Sequence, residues 1–69
     1  MMDLERFVKS KRRELGITQR DLADRAGVGL RFIRELEQGK STLRLDKVNQ
    51  VLALFGHGMG PTPLRRDDF

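Results

Sequence analysis

The stretch Gly16-Ile17-Thr18-Gln19-Arg20-Asp21-Leu22-Ala23-Asp24-Arg25-Ala26-Gly27-Val28-Gly29-Leu30-Arg31-Phe32-Ile33-Arg34-Glu35-Leu36-Glu37-Gln38-Gly39 decides the fold. Thr18 offers a capping hydroxyl, and Asp21 follows at capping-box spacing, in place of the usual Glu or Gln. Leu22, Ala23 and Ala26 then recur at helical intervals before Gly27, which predicts a helix of about eight residues. After only Gly27, Val28 and Gly29 the period resumes with Ile33 and Leu36 and stops at Gly39. So short a link is too tight for antiparallel packing, and the two helices are expected to cross steeply.

Working outward, Leu4, Phe7, Val8 and Leu15 fall at helical intervals over Asp3 to Leu15, and Gly16 follows as a left-handed cap. On the other side, Lys40-Ser41-Thr42 is a polar link, after which Leu45, Val48, Val51, Leu52 and Phe55 mark a fourth helix that ends at Gly56. Leu54 lies about 40° outside the Val51 edge of that stripe, at ~100° per residue. The resulting face is wide for so small a domain and points to a partner. The tail from Gly56 to Phe69 holds three of the seven glycines and both prolines, Pro61 and Pro63. It cannot continue the helix and is expected to be extended or loose, with strand pairing only weakly specified. Residues 1–56 therefore read as one domain and residues 57–69 as a tail that offers a dimerisation strand.

With 69 residues, 38% hydrophobic and 35% charged, the chain has apolar material for one small core and none to spare for a large catalytic scaffold. Cysteine is absent, so neither disulfides nor thiolate zinc can staple it, and a second subunit is the expected reinforcement. Net charge +4 favours a polyanionic partner. No apolar run reaches the ~18 residues of a membrane span, and Met1-Met2-Asp3-Leu4-Glu5 lacks the build of an export signal. A soluble, cytoplasmic protein without membrane partners is expected. His57 is the sole histidine, so no metal set or nucleophile–base pair can be assembled. Asp67-Asp68 lie in the tail without a pocket and are assigned no chemistry. No enzyme, cofactor or metal is expected.

Residues 16–28 and 33–40 resemble the two halves of a phage-repressor-type (XRE-like) helix-turn-helix, and the likeness extends over about residues 4 to 56. It implies an all-α, lambda-repressor-like domain of four to five helices, with the third helix entering DNA. More narrowly, the run Gly29-Leu30-Arg31-Phe32-Ile33-Arg34-Glu35-Leu36-Glu37, the run Leu43-Arg44-Leu45-Asp46-Lys47-Val48 and a Gly- and Pro-containing tail are similar to HipB-like antitoxins. Such antitoxins accompany HipA-type kinase toxins and repress their own operons. The resemblance thus implies a homodimeric repressor on a pseudo-palindromic duplex, with a HipA-like kinase as a further partner. Two other readings stand beside it. One is an ordinary phage-type regulator without a toxin, and the other a protein-interaction module that keeps the shape without reading DNA.

With Ile33 and Leu36 facing inward, Arg31, Arg34, Glu35 and Gln38 form a polar fan about 100° to 200° away, the face that would enter the major groove. Arginine presents paired N–H donors that match guanine O6 and N7 or the oxygens of a phosphate, which makes Arg31 and Arg34 the candidate readers. The plainer alternative is a solvated face with Arg31 and Glu35 paired at i, i+4. Leu30 and Phe32 depart from the small polar residues common at this point in the family. Either would touch a thymine methyl, suit a protein surface or, for Phe32, pack inward. Gly29 stands where a Ser or Thr cap is common and leaves room for a phosphate. Thr18 and Gln19 open the second helix, where free N–H groups favour an anion, and the resemblance makes Gln19 a phosphate clamp.

Lys40, Arg44 and Lys47 are candidates for neutralising further phosphates, with a solvated edge as the alternative for Lys47. The resemblance also places Arg12 and Glu37 in an internal ion pair, a structural role. Lys9-Ser10-Lys11-Arg12-Arg13 points in several directions on a helix and reads as a solvated face. The dimer contact is expected from Val51, Leu54 and Phe55 of the fourth helix, with Met59 and Leu64 of the tail.

Overall fold

A computed structural model describes residues 3–64 and contains four α-helices: α1 (Leu4–Glu14), α2 (Gln19–Ala26), α3 (Leu30–Glu37) and α4 (Leu45–Ala53). The described residues include no strand, and the all-helical architecture is the one expected. Residues 65–69 of the tail, with Asp67-Asp68, lie outside the described residues.

Local chemistry sets the helix ends. Thr18 Oγ1 accepts from the Asp21 backbone N–H at 3.0 Å, and Asp21 Oδ2 accepts from the Thr18 N–H at 3.1 Å, a reciprocal capping box. Hydrogen bonding to the Asp21 carboxyl, first from the Thr18 backbone N–H and then from the Thr18 side chain, holds it below its usual range. Thr18→Ala should therefore cost about 1 kcal/mol. At ~4–8 °C per kcal/mol for a domain of this size, a melting curve will show the loss. An unchanged midpoint would mean that water replaces the cap fully. Gly27 closes α2 with φ 74°, a left-handed conformation that side-chain-bearing residues rarely adopt. Its N–H and that of Val28 both donate to the Ala23 carbonyl, at 2.9 and 3.0 Å, which turns the chain into α3 within three residues.

α3 packs on both α2 and α1, while α2 also packs on α4. Val8, Leu22, Ala23, Ile33, Leu36, Val48, Val51 and Leu52 meet in one buried core. Ile33 and Leu36 are the inward face of α3, as their spacing predicts. Two expectations for the fourth helix need correction. Val51, expected at a dimer contact, is completely buried among the core residues and has no surface to offer another chain. Leu45, expected on the inward stripe, is 57% exposed, because it is the first residue of α4 and lies beyond the edge of the core. Leu54, outside the stripe, is exposed as expected.

Beyond α4 the His57 N–H donates to the Leu52 carbonyl at 3.0 Å, with Gly56 at φ 71°. The His57 ring lies 4.7 Å from that of Phe7, and Phe7 meets Phe55 edge-on at 6.3 Å. The Met59 N–H donates to Asn49 Oδ1 at 2.9 Å, and residues 57–64 form neither helix nor strand.

Candidate nucleic-acid interface

Because Ile33 and Leu36 anchor α3, its outer side is fixed in orientation, and the fan expected there is present. Arg31, Arg34 and Gln38 are exposed, and Glu35 is half-buried beside them. Arg31 donates from Nε to Glu35 Oε1 at 3.2 Å, so the i, i+4 pair exists, yet its side chain remains 91% exposed. Lys40 Nζ lies 3.3 Å from Glu35 Oε2. The Lys40 hydrogen bond and that of Arg31 hold the Glu35 carboxyl below its ordinary range, against the opposing effect of burial.

Leu30 and Phe32 are half-buried and pack against the core. Lys47 Nζ sits 5.9 Å from the centre of the Phe32 ring, a cation–π contact that the sequence does not disclose. Packing is therefore the role the structure gives Phe32. Gly29 is the N-cap of α3 and makes no side-chain capping bond. A Cβ added there would meet nothing within 4 Å, so internal packing does not require a glycine at this point. Gly29, Arg31, Lys40, Arg44 and Lys47, with Thr42 and Leu43, line a hollow of about 380 Å³ beside α3. Arg44 also forms two hydrogen bonds with Asp46, at 3.2 and 2.7 Å, in an exposed pair that a phosphate would have to compete with.

Arg12 and Glu37 form the internal pair. Arg12 donates from Nε to Glu37 Oε2 at 2.7 Å, from Nη2 to Oε1 at 3.0 Å and from Nη1 to the Ile17 carbonyl at 3.0 Å. Gln19 Nε2 joins the same Oε1 at 3.2 Å. Burial pushes the Glu37 carboxyl up, but the hydrogen bonds from Arg12 and Gln19 and the charges of Arg12 and Lys9 bring it below its usual value. The Gln19 side chain is thus turned inward, which the sequence does not reveal because nothing local links residues 18 positions apart. One Nε2 hydrogen remains for an outside acceptor.

Of the residues expected at a subunit contact, Leu54, Met59 and Leu64 are 43%, 48% and 55% exposed, and Phe55 is half-buried against Phe7. The described residues hold no cluster of three or more potential metal ligands, and none of their helices is long and apolar enough to cross a membrane.

Residues 8–56 match the family model described as helix-turn-helix. The chain is 48% identical over 54 residues to the uncharacterized HTH-type transcriptional regulator y4mF of Sinorhizobium fredii, an overlap covering 78% of this chain and 71% of that relative. No solved structure matches significantly. A capped eight-residue helix, a turn closed by a left-handed glycine and a second helix with one face sunk in the core lie at the centre of the region matched, and the chain belongs to the helix-turn-helix family.

Proposed function

We propose that this protein is a sequence-specific repressor of transcription that binds duplex DNA as a homodimer, placing α3 of each subunit in successive major grooves about 34–36 Å apart on a pseudo-palindromic site. The observation that carries this reading is the pair of exposed guanidinium groups, Arg31 and Arg34, on the outer side of a helix whose opposite side is fully buried. Lys40, Arg44 and the start of α2 at Thr18 and Gln19 flank that helix and serve phosphates. The test is a titration of duplex carrying the upstream region of its own gene, against random duplex, at several salt concentrations. Affinity should fall steeply with salt and favour the upstream duplex. Failure to bind any duplex at low ionic strength overturns the reading and leaves the protein-interaction module in its place.

Leu54, Met59 and Leu64 supply exposed apolar surface for the subunit contact, with Phe55 at its edge. Leu54→Asp should convert a dimer into a folded monomer in sedimentation, and a folded dimer that persists would place the contact elsewhere. The finer role, antitoxin to a HipA-like kinase in an operon the protein itself represses, rests on the resemblance of residues 29–37 and 43–48. Co-purification with a kinase encoded by the neighbouring gene tests it. Without such a kinase, the role is that of an ordinary phage-type regulator.

A further inference from the structure

We infer that Glu35 determines how sharply the reading face distinguishes one DNA sequence from another, by bracing Arg31 for a guanine while holding it back from phosphates. This rests on the DNA-binding reading above and adds to it the residue that sets specificity. An unbraced arginine is a long side chain with many rotamers, and it satisfies a phosphate in most of them. Here the i, i+4 carboxylate accepts from Nε alone, so the end of the guanidinium, with its two Nη groups, is left pointing away from its anchor. That end matches O6 and N7 of guanine. Glu35 is itself steadied, since its side chain is only 26% exposed and its second oxygen is held by Lys40.

The same carboxylate acts oppositely when no matching base is present. A phosphate approaching Arg31 must displace Glu35 from it, and it meets a like charge as it does so. Binding through phosphates alone is weakened. Binding through guanine keeps the Nε contact and is not. An acidic residue on a surface meant for DNA thereby improves selectivity by penalising the wrong complex.

Glu35→Gln tests this, with the upstream duplex and a random duplex of equal length titrated side by side and folding followed by circular dichroism. The variant should bind random duplex several-fold more tightly and the upstream duplex no more tightly, so that the ratio of the two affinities falls several-fold. Arg31→Lys, which keeps the charge and removes the fork, should weaken the upstream duplex, and adding Glu35→Gln to it should then weaken that duplex no further. Equal tightening on both duplexes, or no change on either, overturns the inference while leaving DNA binding intact. Weaker binding of the upstream duplex with random binding unchanged overturns it too, because Glu35 would then not be holding Arg31 back from phosphates. If wild type ignores every duplex, the proposed function falls and this inference with it.

Discussion

Arg12→Ala should leave a domain that is barely folded at room temperature. The Glu37 side chain is only 2% exposed, and of the three side-chain donors that reach its carboxylate, two are on Arg12 and one is on Gln19. Removing the guanidinium strands a carboxylate with a single donor, Gln19, and deprives the Ile17 carbonyl of its own donor. Breaking a buried pair from one side costs about 3–5 kcal/mol, against the roughly 5–15 kcal/mol that is the whole margin of an ordinary domain. At ~4–8 °C per kcal/mol, the midpoint of thermal unfolding should drop by at least about 12 °C. Glu37→Ala should cost less, because the Arg12 side chain it leaves behind is 15% exposed and can reach water. Replacing both by methionine should recover part of the stability, as apolar isosteres of buried ion pairs do. A single Arg12→Ala variant that melts with wild type would show that the pair does not hold the helices together.

Acid separates these cases by sign. In the wild type the folded-state carboxyl of Glu37 lies below its unfolded value. Its contribution to stability is therefore complete above that value and disappears as pH falls through the lower folded one. Without Arg12 the largest influence left is burial, which pushes the carboxyl up, so protonation relieves the folded state. The difference in melting temperature between wild type and Arg12→Ala should thus narrow as the solution is acidified. A gap independent of pH would mean that Arg12 acts by packing its stem rather than by its charge.

These residues also mark what a single sequence discloses. The ends of α2 are legible because a Thr18–Asp21 box and a left-handed Gly27 are complete within a few residues, and the buried side of α3 is legible because Ile33 and Leu36 share one face. The wide apolar stripe of α4 is ambiguous for a physical reason. Periodicity reports which direction is greasy, but only the position of the neighbouring helices decides that Val51 is core and that Leu45 and Leu54 are surface. The inward turn of Gln19 and the seat of Lys47 over Phe32 depend on α3 lying beside the start of α2 and the start of α4. Neither contact has a local pattern. The fan of Arg31, Arg34, Glu35 and Gln38 is readable as a face, whereas the double engagement of Glu35 is readable only by half, since Lys40 reaches it from beyond the helix end.

That fan yields the largest functional effect expected of any substitution. Arg31 and Arg34 are three positions apart on α3, so their side chains rise from neighbouring points of one face, which on the proposed DNA-binding reading sets them over adjacent base steps. A good bidentate contact to a base discriminates by about 1–3 kcal/mol, or roughly 5- to 150-fold. In a symmetric dimer each substitution is felt in both half-sites, which doubles the free energy and squares the factor. Arg31→Ala should be the more damaging of the two, because it also releases the Glu35 carboxylate toward the DNA, whereas no carboxylate among the described residues is paired with Arg34. Lys40→Ala supplies the contrast: as a phosphate ligand it should weaken upstream and random duplexes alike and lower the salt slope by about one for each phosphate no longer neutralised. Titrations of the three variants on both duplexes across a salt series decide the matter. If the arginine variants weaken binding equally on both duplexes, the guanidinium groups are holding the backbone, and sequence must be sensed through the shape of the duplex instead.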